Sequence, residues 1–391
     1  MREIKKVVGV IAEYNPFHHG HHYQLQKLRQ DTQADVVVVL MSGNVVQRGE
    51  FAMLDKWTRA QLVATHGADL VIEMPLFATL QSADYFAKYC VQYVSQIGCD
   101  TLVFGTESAT TAQLYAYLDW QKENNLFLQE RIKYWLKQGY GYPTAFAKAL
   151  ENASATNWQI MTQPNHVLGL QYMAANQQLP SPMAIHTIQR VPSSASEVRN
   201  RWIRRQLNVS DVPEATWQAL HTQKTVRLAD YWALLRYQLT VQSVEQLQAI
   251  VGVAEGIEVV LKRALGTASD LDSLIQQVVS KRWTKARVQR VLIAILLNIR
   301  QTTWQNAPQS LRVLAYTPAG KHYLRQYANS EPALRLFSNY RQHDEEAYSH
   351  NLQADKIYQL NPHSVIPEQN RAKFPIFCEN NPIKLLGVID S

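Results

Sequence analysis

The run Val7-Val8-Gly9-Val10-Ile11-Ala12 constrains this chain most. Six apolar residues without alternation make a strand only where both faces are buried, as in a parallel sheet covered by helices on each side. Asn15-Pro16 ends the strand, because proline has no N–H to give to a ladder. Residues 23–29 have helical composition, and 34–40, rich in valine, repeat the apolar strand pattern. Strand, helix and strand in that order predict a right-handed βαβ unit. Further strands are expected at 69–74, 100–105 and, last in the sheet, 183–188. The fold class expected is α/β: a Rossmann-like, doubly wound parallel sheet over 1–205, followed by a mainly α-helical domain over 206–391.

Between the first strand and its helix lie His18, His19, Gly20, His21 and His22. A helix N-terminus offers free backbone N–H groups and a partial positive charge, which suits anions. Gly20 lets a ligand approach the backbone. His18 and His21 share a helix face, so two imidazoles can stabilise charge growing on a phosphate. A zinc site and a solvated turn are the alternatives that histidine content alone leaves open.

His18-His19-Gly20-His21 matches the H-x-G-H signature, and the string EYNPFHHGH with YQL after it resembles the tRNA(Met) cytidine acetate ligases of the nucleotidylyltransferase superfamily. MSGNVVQRGEFAMLDKWTRA, with Gln47, Arg48, Gly49 and Glu50 in a loop, is similar to that family's own segment. Ser194, Ala195, Ser196 and Arg199 resemble the superfamily's second signature, with alanine and serine substituted. Ser196 keeps a hydroxyl for a phosphate or for a helix cap. The resemblance implies catalytic roles for His18, His21, Ser196 and Arg199. It implies ATP contacts from Ile11, Ala12, Glu13, Tyr14, Asn15, Pro16, Phe17, His18, His19, Gly20, His21, His22, Tyr23 and Gln24, and from Gly105, Asn165, Arg190 and Val191. ATP is then the substrate, with Mg²⁺ as its expected companion, and no metal ligands are assigned. Acetate and elongator tRNA(Met) are the implied partners, with acetyl-adenylate as intermediate and N4 of the wobble cytidine as acceptor.

Lys56 and Arg59 lie on a helix, where they reach phosphate or RNA or simply face water. The second half adds a basic run, Lys281, Arg282, Trp283, Lys285 and Arg287, read as a helix beside a buried apolar one at 291–299. Trp283 offers a stacking face there. Arg201, Arg204 and Arg205 form a second basic patch. These eight residues are the expected tRNA contacts. A strand at 309–316, a turn at Pro318 and Gly320, and a helix from 321 to about 350 follow, then an extended tail from 360.

The net charge of +7 fits an anionic partner. Three widely spaced cysteines point to a reducing compartment. With no signal peptide or spanning segment read, a cytoplasmic protein without membrane contact is expected. The sequence leaves the oligomeric state unknown. Two other functions compete: a small-molecule adenylyltransferase making a dinucleotide-type cofactor, and a non-catalytic RNA-binding protein. Nothing resembles a P-loop, so substitution at the α-phosphate is preferred to γ-phosphoryl transfer.

Overall fold

A computed structural model describes residues 3–151, 153–154, 160, 163–304, 306–340 and 348–379. Five parallel strands form its centre: β1 (Val7–Ala12), β2 (Val36–Ser42), β5 (Leu70–Met74), β6 (Thr101–Thr106) and β7 (Ala184–Gln189). They are ordered β5-β2-β1-β6-β7. Between β2 and β5 a short hairpin is formed by β3 (Val45–Val46) and β4 (Glu50–Phe51).

The valine run explains the layering. Val36, Val38 and Leu40 pack into one hydrophobic core, while Val37, Val39 and Met41 pack into another on the opposite face. Every residue of β2 is buried. Each such valine contributes roughly 1.5–3 kcal/mol relative to exposure. The chain leaves β1 outward through β2 and β5, then returns to the other side through β6 and β7. The order therefore reverses between β1 and β6, where an open α/β sheet forms its ligand crevice.

The second half does not stay apart from this sheet. Its helices build their own core, which includes Leu235, Leu261, Leu292 and Ile295. The strand expected at 309–316 is β8 (Ser310–Tyr316), and it pairs antiparallel with β5. β9 (Arg335–Phe337) and β10 (Ile376–Phe377) pair with β8 in turn. The strand at 184–189 is thus not the last in the sheet. Pro318 opens the helix Pro318–Asn329 with Thr317 as cap, where a turn was expected. β9 interrupts the helix expected from 321 to 350. The tail beyond 379 lies outside the described residues. Among the described residues no helix is long and apolar enough to cross a membrane.

Candidate active site

The helix after β1 is His19–Thr32, and His18 is its N-cap. His18 Nδ1 accepts from the Gly20 N–H at 3.0 Å, and His21 Nδ1 accepts from the His18 N–H at 3.3 Å. A Cβ on Gly20 would lie 2.9 Å from His18 Cε1, so glycine is what lets the ring fold back over the helix start. The two rings stack, with centroids 3.6 Å apart and planes at 26°. Tyr14 stands edge-on to His21 at 4.7 Å.

This arrangement fixes the tautomers. A backbone N–H occupies each Nδ1, so each neutral ring carries its proton on Nε2. Burial pulls the His18 pKa down to about 3, with Arg190, His19 and Arg199 adding to the effect. Burial also holds His21 well below its ordinary value, followed by His18 and Arg190. The pair is neutral at neutral pH and presents N–H donors. His18 Nε2 is buried without a hydrogen-bond partner. A buried donor left unpaired costs about 1–3 kcal/mol, which a ligand acceptor would recover.

The second signature arrives on the helix Ala195–Ile203. Ser194, not Ser196, caps it, accepting from the Glu197 N–H at 3.1 Å. That leaves Ser196 Oγ facing two guanidinium groups, Arg199 at 3.2 Å and Arg48 at 3.5 Å. Arg199 also donates to the Asn15 carbonyl at 2.6 Å, which ties this helix to the β1 turn. Ser193 Oγ donates to His18 Nδ1 at 3.1 Å. The two signatures, far apart in the chain, are thus in direct contact. Glu13 accepts from the Gln47 N–H. Burial raises its carboxyl pKa, while Arg48 and Arg199 pull the other way.

Around them is a cavity of about 630 Å³ at the β1/β6 reversal. Of the expected ATP residues, Ile11, Ala12, Glu13, Tyr14, Asn15, His18, Gly20, His21, Tyr23, Gln24, Gly105, Asn165, Arg190 and Val191 line it, with Ser196 and Arg199. Pro16, Phe17, His19 and His22 do not. Phe17 is fully buried in the core, His19 points to solvent, and His22 packs edge-on against His66 at 5.1 Å. At Gly105 a Cβ would sit 3.0 Å from Arg190 Cγ, so the Arg190 side chain crosses the bare β6 backbone. Asn165 does not point freely at a ligand: its Nδ2 donates to Glu107 Oε1 at 2.5 Å. His166 Nε2 accepts from the N–H groups of Glu107, Ser108 and Ala109, each at 3.1 Å, and so shapes the loop after β6.

Arg48, Gln47, Glu107 and Tyr172 also line the cavity without having been assigned a role from the sequence. Arg48 had a signal: a basic residue in a loop between two strands of a nucleotide fold. Its position depends on Gly49, whose φ is +76° and whose Cβ would meet Arg290 N at 2.3 Å. The helix Lys285–Leu296 thus braces the loop, aided by Gln289 donating to Glu50 at 3.0 Å.

Three basic or aromatic expectations are corrected. Lys56 is fully buried, bonded to both Glu73 carboxylate oxygens at 2.9 Å and to Asp355 at 2.6 Å. Arg59 is also fully buried and donates to the carbonyls of Glu13, Ser42, Gly43 and Leu54. Neither reaches phosphate or RNA, because the fold uses both to hold its own backbone and acids. Trp283 is turned into the helical core, 7% exposed, and offers no stacking face. The basic run is also not a helix throughout. Residues 281–283 bend, and one helix starts at Lys285 under a Thr284 cap and continues into the apolar stretch. Lys281, Arg282, Lys285, Arg204 and Arg205 are exposed, whereas Arg287 pairs with Glu255 at 3.2 Å and Arg201 with Asp211 at 2.8 Å. Among the described residues no group of three or more His, Cys, Asp or Glu converges to hold a metal ion.

The chain matches the HIGH Nucleotidyl Transferase family over residues 5–373. It is 36% identical over 376 residues to the tRNA(Met) cytidine acetate ligase of Lactiplantibacillus plantarum, covering 91% of this chain and 94% of that protein. The Streptococcus mutans protein of the same name is 35% identical over 389 residues, covering 95% and 98%. Among solved structures the fold is similar to Thermotoga maritima TmcAL bound with alpha-thio ATP. That match has a TM-score of 0.87 and 26% identity, covering 96% of this chain and 100% of that one.

Proposed function

The chain belongs to the tRNA(Met) cytidine acetate ligases of the HIGH nucleotidyl transferase family, and from that premise we propose how it works. It is an ATP-dependent ligase. An acetate oxygen attacks the α-phosphorus of ATP, the bond to the β-phosphate breaks, and pyrophosphate leaves with the electron pair. N4 of the wobble cytidine of elongator tRNA(Met) then attacks the acetyl carbonyl. AMP departs and the amine loses a proton, which gives N4-acetylcytidine.

The observation that carries this reading is the stacked His18–His21 pair at the strand reversal, with both Nδ1 atoms committed to backbone N–H groups. Its two Nε2–H donors suit the equatorial oxygens of a pentavalent α-phosphate. Arg48, Arg190 and Arg199 supply the charge that neutral imidazoles lack, and Ser196 lies between two of them. Fixed donors and cations of this kind act by positioning and by electrostatic stabilisation. No side chain has to serve as a nucleophile. Gly105, Asn165 and Val191 border the place for the nucleoside. An Mg²⁺ accompanying ATP would add positive charge at the phosphates beside Arg48, Arg190 and Arg199. The exposed Lys281, Arg282, Lys285, Arg204 and Arg205 serve the tRNA, and the protein works in the cytoplasm with that substrate.

The test is pyrophosphate release from ATP with acetate and transcribed elongator tRNA(Met) each added or omitted, followed by mass analysis of the tRNA nucleosides. Acetate-dependent release together with acetylated cytidine is the expected result. Release that ignores acetate would instead favour a cofactor-type adenylyltransferase.

A further inference from the structure

A second cavity, of about 610 Å³, opens at the far end of the helix that carries Ser196 and Arg199. Trp202, Arg205, Trp217, His221 and Arg227 line it. Trp202 in the second cavity lies six helical steps after Ser196 in the first, about 9 Å along the axis. The two cavities therefore share one rigid element.

The lining is aromatic and polar at once. His221 and Trp217 rings lie 4.1 Å apart, and Trp202 stands edge-on to His221 at 5.0 Å. His221 Nδ1 donates to the Trp217 carbonyl at 2.8 Å, which leaves Nε2 as the acceptor of the neutral ring. Trp202 Nε1 donates to Thr225 at 3.3 Å, so the indole is anchored. Arg227 is paired with Asp230, the one acidic side chain of the lining.

Arg205 adds an independent observation. It occupies the left-handed position after the helix, with φ at +58°. Its N–H donates to the Trp202 carbonyl, and the Gln206 N–H donates to the Arg201 carbonyl at 2.8 Å. That is the helix-ending pattern in which glycine is the comfortable residue. An exposed arginine there is held against backbone preference, and its side chain has no ion-pair partner among the described residues. Gln33 and Asn298 adopt the same left-handed φ, so what sets Arg205 apart is an exposed guanidinium that lines the cavity.

We propose that this cavity binds an unstacked nucleobase of the RNA substrate, other than the cytidine being acetylated, with that nucleotide's phosphate on Arg205. The inference rests on the tRNA reading above. Aromatic faces take a splayed base in a sequence-tolerant way, a nearby guanidinium holds the backbone, and His221 Nε2 can accept from a base amino group. A shared helix would then set the spacing between this nucleotide and the one at the α-phosphate site.

The experiment uses the full chain with elongator tRNA(Met), and with the same tRNA made abasic at one anticodon-loop position at a time. One abasic position outside the target cytidine should raise the tRNA KM of the native protein roughly five- to 150-fold. Trp217→Leu and His221→Ala should show the same loss with intact tRNA, and no further loss with that abasic tRNA. Their acetate-dependent pyrophosphate release without tRNA should match the native protein. Arg205→Gly should raise the tRNA KM while its Tm holds or rises. Variants with native KM, losses that add fully to the abasic loss, or a parallel fall in tRNA-free release would each overturn the proposal. So would a Tm that falls in Arg205→Gly. A native protein that does not acetylate tRNA removes the functional reading itself, which distinguishes the two failures.

Discussion

His18 does two jobs with one ring: Nδ1 satisfies the orphaned N–H of Gly20, and Nε2 remains for a ligand. The two histidines stack too closely and too deeply for both to be charged. The pH consequence follows from the direction of the shift. The folded pKa of His18, about 3, lies below the ordinary value of 6.5, so the unfolded chain binds the extra proton. This contribution to stability is complete above pH 6.5 and is lost as the pH falls toward 3. Between pH 6 and 8 the pair does not titrate. A pH–rate profile of pyrophosphate release should therefore contain no inflection in that range that vanishes in His18→Gln. His21→Ala should lower release by about 10²- to 10³-fold, the usual effect of deleting one donor to developing charge, while tRNA binding stays native. Equal loss of both would make His21 a folding residue instead. The histidines were legible because their spacing on a helix start carries the chemistry. The role of Ser194 as cap was not, since either serine of the pair suits a cap and only backbone angles choose between them.

At the scale of elements, the loop with Arg48 and the helix Lys56–Thr65 show where pattern reading stops. Burial on both faces of β2 follows from its composition, so the sheet could be read. A lysine and an arginine on a helix look solvated in sequence. What buries them is a long-range event: Asp355, some three hundred positions away, meets Lys56 at 2.6 Å. Lys56→Met leaves Glu73 and Asp355 buried beside each other without the ammonium that bonds to both. We expect a stability loss of about 3–5 kcal/mol, read by denaturant unfolding. A loss under about 1 kcal/mol would show that the Lys56 ammonium is not what holds the two acids in the core. Gly49→Ala should detach the Arg48 loop from Arg290 and raise the KM for ATP, with little change in tRNA affinity. The burial of Trp283 is hidden from the sequence in a similar way: its neighbours in sequence are basic, yet its ring lies in the helical core.

At the scale of the whole molecule, the sheet is completed from the C-terminal part of the chain. β8 covers the open edge of β5, and β10 lies outside it. Local periodicity could indicate the strand at 310–316 but not its partner. A chain ended after residue 206 should accordingly aggregate or fail to fold, which a monomeric, cooperative unfolding transition would contradict. The basic surface belongs to this scale as well. Replacing Lys281, Arg282 and Lys285 together with alanine should flatten the salt dependence of tRNA binding, by about 0.7–0.9 in log–log slope for each phosphate that is no longer neutralised. An unchanged slope would take that surface out of the interface. Above all, the mechanism requires that acetate attack the α-phosphorus at the histidine pair. Acetate labelled with ¹⁸O in its carboxylate tests it most directly, with the AMP collected after acetyl transfer and weighed by mass spectrometry. One ¹⁸O is expected in that AMP, because the attacking oxygen stays on phosphorus when the acetyl group leaves. Unlabelled AMP alongside acetylated cytidine would contradict it.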